Sequence, residues 1–273
     1  MTRVLEATIT RPLSQIGHFV WFCVLSIVRI PTAIRHYPGQ IGKQLAEVSL
    51  GGGALVVGGG AVGVVFLMST LTGTEVGLEG HNGLDIIGLA PLVGFVSGYV
   101  NTRELAPIVV ALAFAARIGC GFTSRLGAQR ISEEIDALET MSIRPIPYLV
   151  STRIVAALAM VLPLFLLGLV GTYVTTDLVV TTFFNQSAGT YDHYFTTFVS
   201  LKDVLLAAVK VTVLTTMVTL VHCFYGFNAT GGPEGVGRAT GLAIRTSIIG
   251  ITLLDIALTL TLWGPDQQVT ITG

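Results

Sequence analysis

The chain has 273 residues, of which 52% are hydrophobic and only 11% charged, with a formal net charge of −1 and a mean hydropathy of +0.77. This composition is too apolar for an ordinary soluble domain, and the charge balance predicts no nucleic-acid partner. Runs of about 20 nearly uncharged residues recur, each long enough to cross roughly 30 Å of hydrocarbon as a helix. The sequence therefore predicts an all-α polytopic membrane protein.

Residues 1–50 are predicted to form a cytoplasmic N-terminus with interfacial amphipathic helices. The apolar stretch 16–30 is too short to span comfortably, is flanked by arginines and carries Trp21, which suits a helix lying in the membrane interface. A sixth, short span is the alternative, and it would invert the topology of the rest of the chain. No small-residue cleavage site follows the stretch, so no signal peptide is predicted.

Five spans are predicted after this segment, near residues 52–72, 85–118, 146–177, 203–225 and 242–263. The first span is rich in glycine, and Gly59 and Gly63 have the small-xxx-small spacing that lets helices approach closely in lipid. General tolerance of glycine in membrane helices explains them equally well. The second run is interrupted by Arg103, Glu104 and Pro107, and such charges are costly in a span unless they face the protein interior or a wet cavity.

The segment 131–141 carries four carboxylates within seven positions and must lie outside the hydrocarbon. It is predicted to form an exposed amphipathic helix of three turns, with Ile135, Leu138 and Met141 as its apolar stripe. Prolines after it stop the helix before the third span. Such a helix between two spans is suited to dock a soluble partner; the alternative is a solvated charged loop.

The connection 178–202 is rich in aromatic residues between positions 183 and 198. They are predicted to form an interfacial belt, with a docking surface for an extracytoplasmic partner as the alternative. Lys210 and Asp255 lie at similar depths in the fourth and fifth spans. We expect either an intramembrane ion pair or, as the alternative, a snorkelling Lys210 and a water-facing Asp255.

The distribution of positive charge predicts the topology. Twelve arginine and lysine residues fall on the side of the N-terminus and of segment 131–141, whereas Lys202 alone falls on the other side. Basic residues accumulate on the cytoplasmic side of membrane proteins. The sequence therefore predicts a multi-pass plasma-membrane protein with a cytoplasmic N-terminus, and with a periplasmic C-terminal tail at residues 266–273.

The sequence shows no machinery for catalysis. It has no P-loop, and the run GGPEGVG at 231–237 follows no predicted strand and contains a proline, so it is predicted to be a tight cytoplasmic turn. The three cysteines have no paired spacing that would indicate disulfides or a zinc site. We expect no enzyme, metal or cofactor in this chain, so the energy for transport has to come from a partner.

Several runs carry a family resemblance. The run GAQRISEEIDALETMSIRP at 127–145 resembles the signature of the MlaE/YrbE permease family, and RELAP at 103–107 resembles its RELGP segment, with Ala106 in place of glycine. The loop before the last span, including YG at 225–226 and GGPEGVG at 231–237, is similar as well. The resemblance covers roughly residues 40–265. STR at 151–153 and YDHY at 191–194 are most similar to B-type YrbE subunits of actinobacterial, including mycobacterial, Mce systems.

The resemblance implies a permease domain at residues 51–265 of an ABC transporter that moves fatty acids or related lipids, as an importer in the Mce branch. It implies that a coupling helix sits in the groove of a cytoplasmic ATPase, present in two copies, which binds ATP and Mg²⁺; the helix contacts are Glu133, Glu134, Asp136, Ala137 and Leu138. Arg103 and Glu104 would line a lipid cavity between this chain and a paralogous A-type permease, with Mce proteins on the outer face.

Two other functions remain open from the residues. An ion-driven secondary transporter would need a relay of acids in the membrane, for which the spans offer Glu104 and Asp255. A non-transporting membrane scaffold or a lipid-modifying enzyme is the other, and no catalytic constellation supports the enzyme.

Overall fold

The computed structural model describes residues 2–50 and 60–264, and these residues form helices and no strands. The helices are α1 (Thr2–Val28), α2 (Ile30–His36), α3 (Pro38–Leu50), α4 (Gly60–Asp85), α5 (Ala90–Ile131), α6 (Glu134–Thr140), α7 (Ile146–Thr182), α8 (Ala188–Phe198), α9 (Leu201–Phe227) and α10 (Gly232–Trp263). Within the described part, α4, α5, α7, α9 and α10 are long and apolar enough to cross a membrane. The predicted all-α polytopic fold is confirmed.

Two spans contain π-helical stretches. In α5 these are Ser97–Leu105 and Ala115–Gly119, and in α7 the stretch is Ile146–Ser151. A π turn places one more residue per turn than an α turn, and such turns occur frequently at functional sites. The side chains around residues 97–105 therefore do not follow the α-helical spacing that sequence analysis assumes.

The ends of three spans differ clearly from their predicted positions, and one of these is α5, which runs from Ala90 to Ile131 and not over 85–118. Helix α4 continues past residue 72 to Asp85, since a helix satisfies its backbone hydrogen bonds whether or not its side chains are polar. The predicted turn at 231–237 is wrong, because α10 already begins at Gly232. Gly231 is left-handed at φ 88° and Pro233 occupies the first helical turn, two arrangements that a helix start accommodates. Residues 52–59 and 266–273 lie outside the described residues.

Helices α4 and α7 pack closely along their length. A Cβ atom on Gly73 would lie 2.5 Å from the Thr172 carbonyl oxygen, so only glycine allows this approach. Close packing through small residues is a principal source of helix association in lipid, because the hydrophobic effect does not drive helices together there. Helix α9 is packed against α5, α7 and α10, and the core between the spans includes Phe114, Phe165 and Leu214.

The N-terminal helices lie beside this bundle. The part of α1 from Ile16 to Val28 bends by 43° into α2. Phe22 and Ser26 face inward, whereas the opposite face exposes Ile16, Val20, Trp21, Val24 and Ile27. The bent pair is long enough to cross a membrane only if both pieces count as one span. The expectation that residues 16–30 lie in the interface therefore stays a prediction.

We call the two ends of the bundle the α6 end and the α8 end, after the short helices they carry.

Candidate functional site

Helix α6 is held between two spans by short, shaped connections. Ser132 and Glu133 alone separate it from α5, and Glu133 is left-handed at φ 59°. At its other end Ser142 is left-handed at φ 60°, and the amide groups of Ser142 and Ile143 donate to the carbonyls of Glu139 and Leu138 at 3.0 and 2.9 Å. This is a Schellman motif, which ends a helix with its last carbonyls satisfied.

Side chains attach α6 to the bundle as well. Ile135 is fully buried in the main core and Leu138 packs partly against it. Asp136 accepts a 2.6 Å hydrogen bond from Arg130 near the end of α5, and the Ser132 hydroxyl donates to Glu134 at 3.2 Å. Since the backbone and four side chains hold α6, a force applied to it passes to α5 and α7.

The predicted helix 131–141 is shorter in the structure, at about two turns. Ile131 still belongs to α5, and Met141 is 61% exposed just beyond α6. The predicted apolar stripe therefore holds for Ile135 and Leu138 and is wrong for Met141. The outward surface consists of five exposed residues. Four of them are predicted contacts, namely Glu133, Glu134, Asp136 and Ala137, and the fifth is the acid Glu139. This outward surface can dock a complementary cleft.

A second candidate site lies between α5, α9 and α10, around the fully buried Lys210. The Lys210 ammonium group lies 2.7 Å from carboxylate oxygens of both Glu104 and Asp255. It donates as well to the Thr259 hydroxyl at 2.7 Å and to the Arg103 carbonyl at 2.8 Å. A buried ammonium needs this density of acceptors, because leaving it unpaired in a low-dielectric interior costs several kcal/mol.

Arg103 continues these contacts toward the α8 end. Its guanidinium group lies 3.0 Å from Asp203, donates to the Tyr99 hydroxyl at 2.7 Å and stacks over the Tyr99 ring, 3.9 Å from its centroid. The Trp263 indole N–H donates to the same Asp203 carboxylate at 2.6 Å. Cation–π and charge-assisted contacts of this kind hold an arginine in one orientation.

We call the five ionisable groups the Lys210 network: Arg103, Glu104, Asp203, Lys210 and Asp255. It contains three carboxylates and two cations, so it carries one excess negative charge when all groups are ionised. The Glu104 side chain is 32% exposed, whereas Lys210 is fully buried. The network can therefore meet a polar group of a ligand at Glu104 while the rest of it stays paired.

The structure brings together more residues than the sequence indicated. Lys210 and Asp255 meet, and Lys210 is buried, so it does not snorkel. Arg103 and Glu104 each pair with a residue of another span. Asp203 and Trp263 join the same contacts, and neither is a predicted site residue. The signal for both was their position at span ends on the same side of the membrane.

Helix α8 lies in the connection between α7 and α9 and packs its aromatic rings on the bundle. Tyr191 is buried, and its hydroxyl donates to Ser97 at 2.8 Å. Burial raises the pKa of the Tyr191 hydroxyl, which therefore stays protonated as a donor at neutral pH. The Phe195 ring lies edge-on to Tyr173, while Phe183 is 74% exposed. Neither the predicted belt nor the docking surface is tested by this packing.

Comparisons with known proteins identify relatives of this chain. The family described as Permease MlaE matches residues 53–261. A probable ABC transporter permease protein of Rickettsia felis is 30% identical over 259 residues, covering 90% of this chain and 91% of its own. The corresponding protein of Rickettsia typhi is 28% identical over 253 residues, covering 88% of each chain.

A further relative is the protein trigalactosyldiacylglycerol 1, chloroplastic, of Arabidopsis thaliana. It is 28% identical over 203 residues, which cover 72% of this chain and 57% of the plant protein. The chain therefore spans little more than half the length of that relative.

Proposed function

The chain belongs to the MlaE permease family and is a permease subunit of an ABC transporter, and we propose that it moves lipids across or out of the plasma membrane. The energy comes from ATP, hydrolysed with Mg²⁺ by a separate cytoplasmic ATPase that binds in two copies. The α6 end faces the cytoplasm and the α8 end faces the periplasm, following the distribution of basic residues.

The observation that carries this proposal is the rigid mounting of α6. An ATPase that closes on ATP has to push on an element that cannot move independently of the spans. Buried Ile135 and the Arg130–Asp136 pair give α6 that property. The exposed residues Glu133, Glu134, Asp136 and Ala137 contact the ATPase groove, whereas Leu138, which packs partly inward, mainly holds the helix in place.

A lipid cargo is supported by the character of the spans and by one relative. The Arabidopsis relative is named after a lipid, trigalactosyldiacylglycerol. The partly exposed Glu104, with Arg103 behind it, offers a polar anchor within otherwise apolar helices. We propose that both residues line a cavity for fatty acids or related lipids, between this chain and a second permease.

The remaining partners follow from the sequence resemblance. The second permease is a paralogous A-type subunit, this chain being the B-type subunit of an Mce system, as in mycobacteria. Mce proteins dock at the α8 end, and the transport direction is import. The YDHY run at 191–194 supports this assignment by its resemblance to B-type subunits, and its Asp192 and His193 are exposed on α8.

One observation favours ion-driven secondary transport as a second candidate. The Lys210 network has three carboxylates for two cations, and acids in membrane spans commonly serve in proton relays. The two candidates differ in their need for an ATPase. The scaffold alternative needs neither an ATPase nor a cargo.

Co-purification tests the proposal. Glu134→Lys reverses an exposed charge on α6, and Asp85→Lys is the matched control, an equally exposed acid at the α8 end. We expect an ATPase to co-purify with the wild-type chain and with Asp85→Lys, and to be lost from Glu134→Lys. A complex that keeps its ATPase in the Glu134→Lys variant would overturn the role of α6. A preparation without any ATPase that moves lipid along an ion gradient would favour the second candidate.

A further inference from the structure

A groove between α1, α9 and α10 opens at the α6 end. It comprises a cavity of about 900 Å³ and a neighbouring one of about 330 Å³; Phe19 lines both, and its ring packs edge-on against Phe224 of the larger one. We call it the α1–α10 groove. It is separate from the Lys210 network, because none of the five network residues lines it.

The polarity of the groove changes along its length. Its mouth carries polar side chains: His18, Tyr225, Asn228, Arg238 and Thr246. The second cavity is lined almost entirely by apolar and weakly polar side chains, namely Cys23, Val213, Met217 and Leu220 beside Thr212 and Thr216. A ligand that fits both parts has a polar head and a long apolar tail.

The length of the groove matches one leaflet. Along α9 it runs from Thr212 to Asn228, about 24 Å at 1.5 Å per residue. Half of a bilayer, with its head groups, is about 20 to 22 Å thick. The groove therefore extends from the bilayer midplane to the head-group region, which is the length that one lipid molecule occupies.

The charge at the mouth selects the head group. Arg238 is 71% exposed, and its ion pair is a 3.8 Å contact with Glu234 on the same helix, a surface pair of the kind that contributes little. Its guanidinium group is thus available to a lipid phosphate, which arginine binds in bidentate fashion. It favours an anionic head group, because a zwitterionic one already carries a cation beside its phosphate. His18 lies at the same mouth, and the mouth also coincides with the uncapped N-terminus of α10.

We propose that the α1–α10 groove binds one phospholipid with an anionic head group from the leaflet at the α6 end. Its phosphate contacts Arg238, and an acyl chain lies along α9 past Phe19. Bound there, the lipid fills the space between the N-terminal helix and the spans. This site is distinct from the proposed cargo cavity, and its occupancy does not depend on transport.

Photocrosslinking tests the site. The complete transporter is reconstituted in phosphatidylcholine vesicles with a trace of either phosphatidylglycerol or phosphatidylcholine carrying a diazirine in its acyl chain, and adducts are mapped by mass spectrometry. We expect adducts within 212–228 and 238–246, with phosphatidylglycerol preferred about fivefold, since one cation contributes about 1 kcal/mol at an anionic lipid surface.

Two pairs of variants sharpen the result. Arg238→Ala is expected to abolish the head-group preference, whereas Arg245→Ala, an exposed arginine on the same helix outside the groove, keeps it. Val213→Trp is expected to reduce adducts of both lipids by filling the apolar part; Leu205→Trp, exposed on the same helix but outside the groove, is its control.

Equal labelling by both lipids, or an unchanged preference in Arg238→Ala, would overturn the inference. So would disulfide crosslinks between Leu242→Cys and a cysteine variant of the second permease without lipid adducts, which would assign the groove to the contact between the two permeases. Lipid transport measured on the same vesicles keeps the two proposals apart. An unlabelled groove in a transporting complex refutes only the site, and a labelled groove without transport refutes only the proposed function.

Discussion

Lys210 and Asp255 face each other across α9 and α10 with their charged atoms 2.7 Å apart, and Glu104 of α5 approaches the same ammonium group equally closely. Three spans thus meet at one buried cation. The membrane interior contains no water to solvate an unpaired ion, so the stability of each charged group here depends on the others.

Removing Lys210 should therefore destabilise the protein more than removing both ends of the pair. We expect Lys210→Met to lower the free energy of unfolding by about 3 to 5 kcal/mol, because it leaves the buried Asp255 uncompensated, and Asp255→Leu to cost less, because Lys210 keeps its contact with Glu104. The double variant should recover part of this loss, as only the partly exposed Glu104 remains. Thermal unfolding in detergent measures it, with Lys202→Met, an exposed lysine on α9, as the control. Strictly additive losses would contradict the pairing.

The contact of α4 with α7 predicts a strong effect of one methyl group. In Gly73→Ala the new Cβ would meet the Thr172 backbone at 2.5 Å, and backbone cannot rotate away. We expect a loss of about 1 to 3 kcal/mol from overpacking. Gly83→Ala, on the same helix with no atom within 4 Å, should be neutral or slightly stabilising. The melting temperatures of the two variants measure this difference. Equal melting temperatures would show that α4 and α7 lie farther apart than the structure indicates.

The left-handed residue after α6 predicts a stabilising substitution. Ser142 has φ 60°, a conformation that costs a non-glycine residue about 1 to 2 kcal/mol. Ser142→Gly should relieve this cost and slow proteolysis of the connection 141–145. Ser132→Gly, at φ −80°, should bring no such gain. If Ser142→Gly is cut faster than wild type, the Schellman geometry is not the one that ends α6.

The Tyr191 hydroxyl predicts how firmly α8 is attached. Tyr191→Phe removes the donor to Ser97 and should cost about 1 kcal/mol, seen as faster hydrogen exchange in α8. The effect should shrink in a Ser97→Ala background, since the partner is then already gone. Tyr194→Phe, a neighbouring tyrosine that is not fully buried, serves as the control. Equal acceleration by both variants would argue against the hydrogen bond.

The number and order of the spans could be predicted from the sequence, because a long uninterrupted apolar run is seldom anything other than a membrane span. The sequence was insufficient for their ends. The first residues of α10 are rich in glycine and contain Pro233, which read as a turn although each fits the start of a helix. The end of α4 carries Glu75 and Glu79, acids that end an apolar run without ending a helix.

The candidate sites could likewise be predicted only in part. The acidic segment around α6 could be found because charge density in an apolar chain is a local signal. Lys210 and Asp255 could be matched by depth, which depends only on counting along two helices. Glu104 and Asp203 could not, since their partners depend on how three helices are rotated, and the π stretch Ser97–Leu105 shifts that rotation for α5.

The π stretches have a mechanical consequence. Helix α5 runs without interruption from Arg103 to the connection with α6, and Ala115–Gly119 lies between them. A π turn holds one residue more than an α turn, so moving that residue along the helix rotates the stretch it passes by about 100°. The stretch Ala106–Phe114 lies between the two π segments of α5, and its Val110 and Phe114 are fully buried in the core. A push at α6 that moves the extra residue toward Arg103 therefore has to repack these side chains, which couples the position of α6 to the packing of the spans.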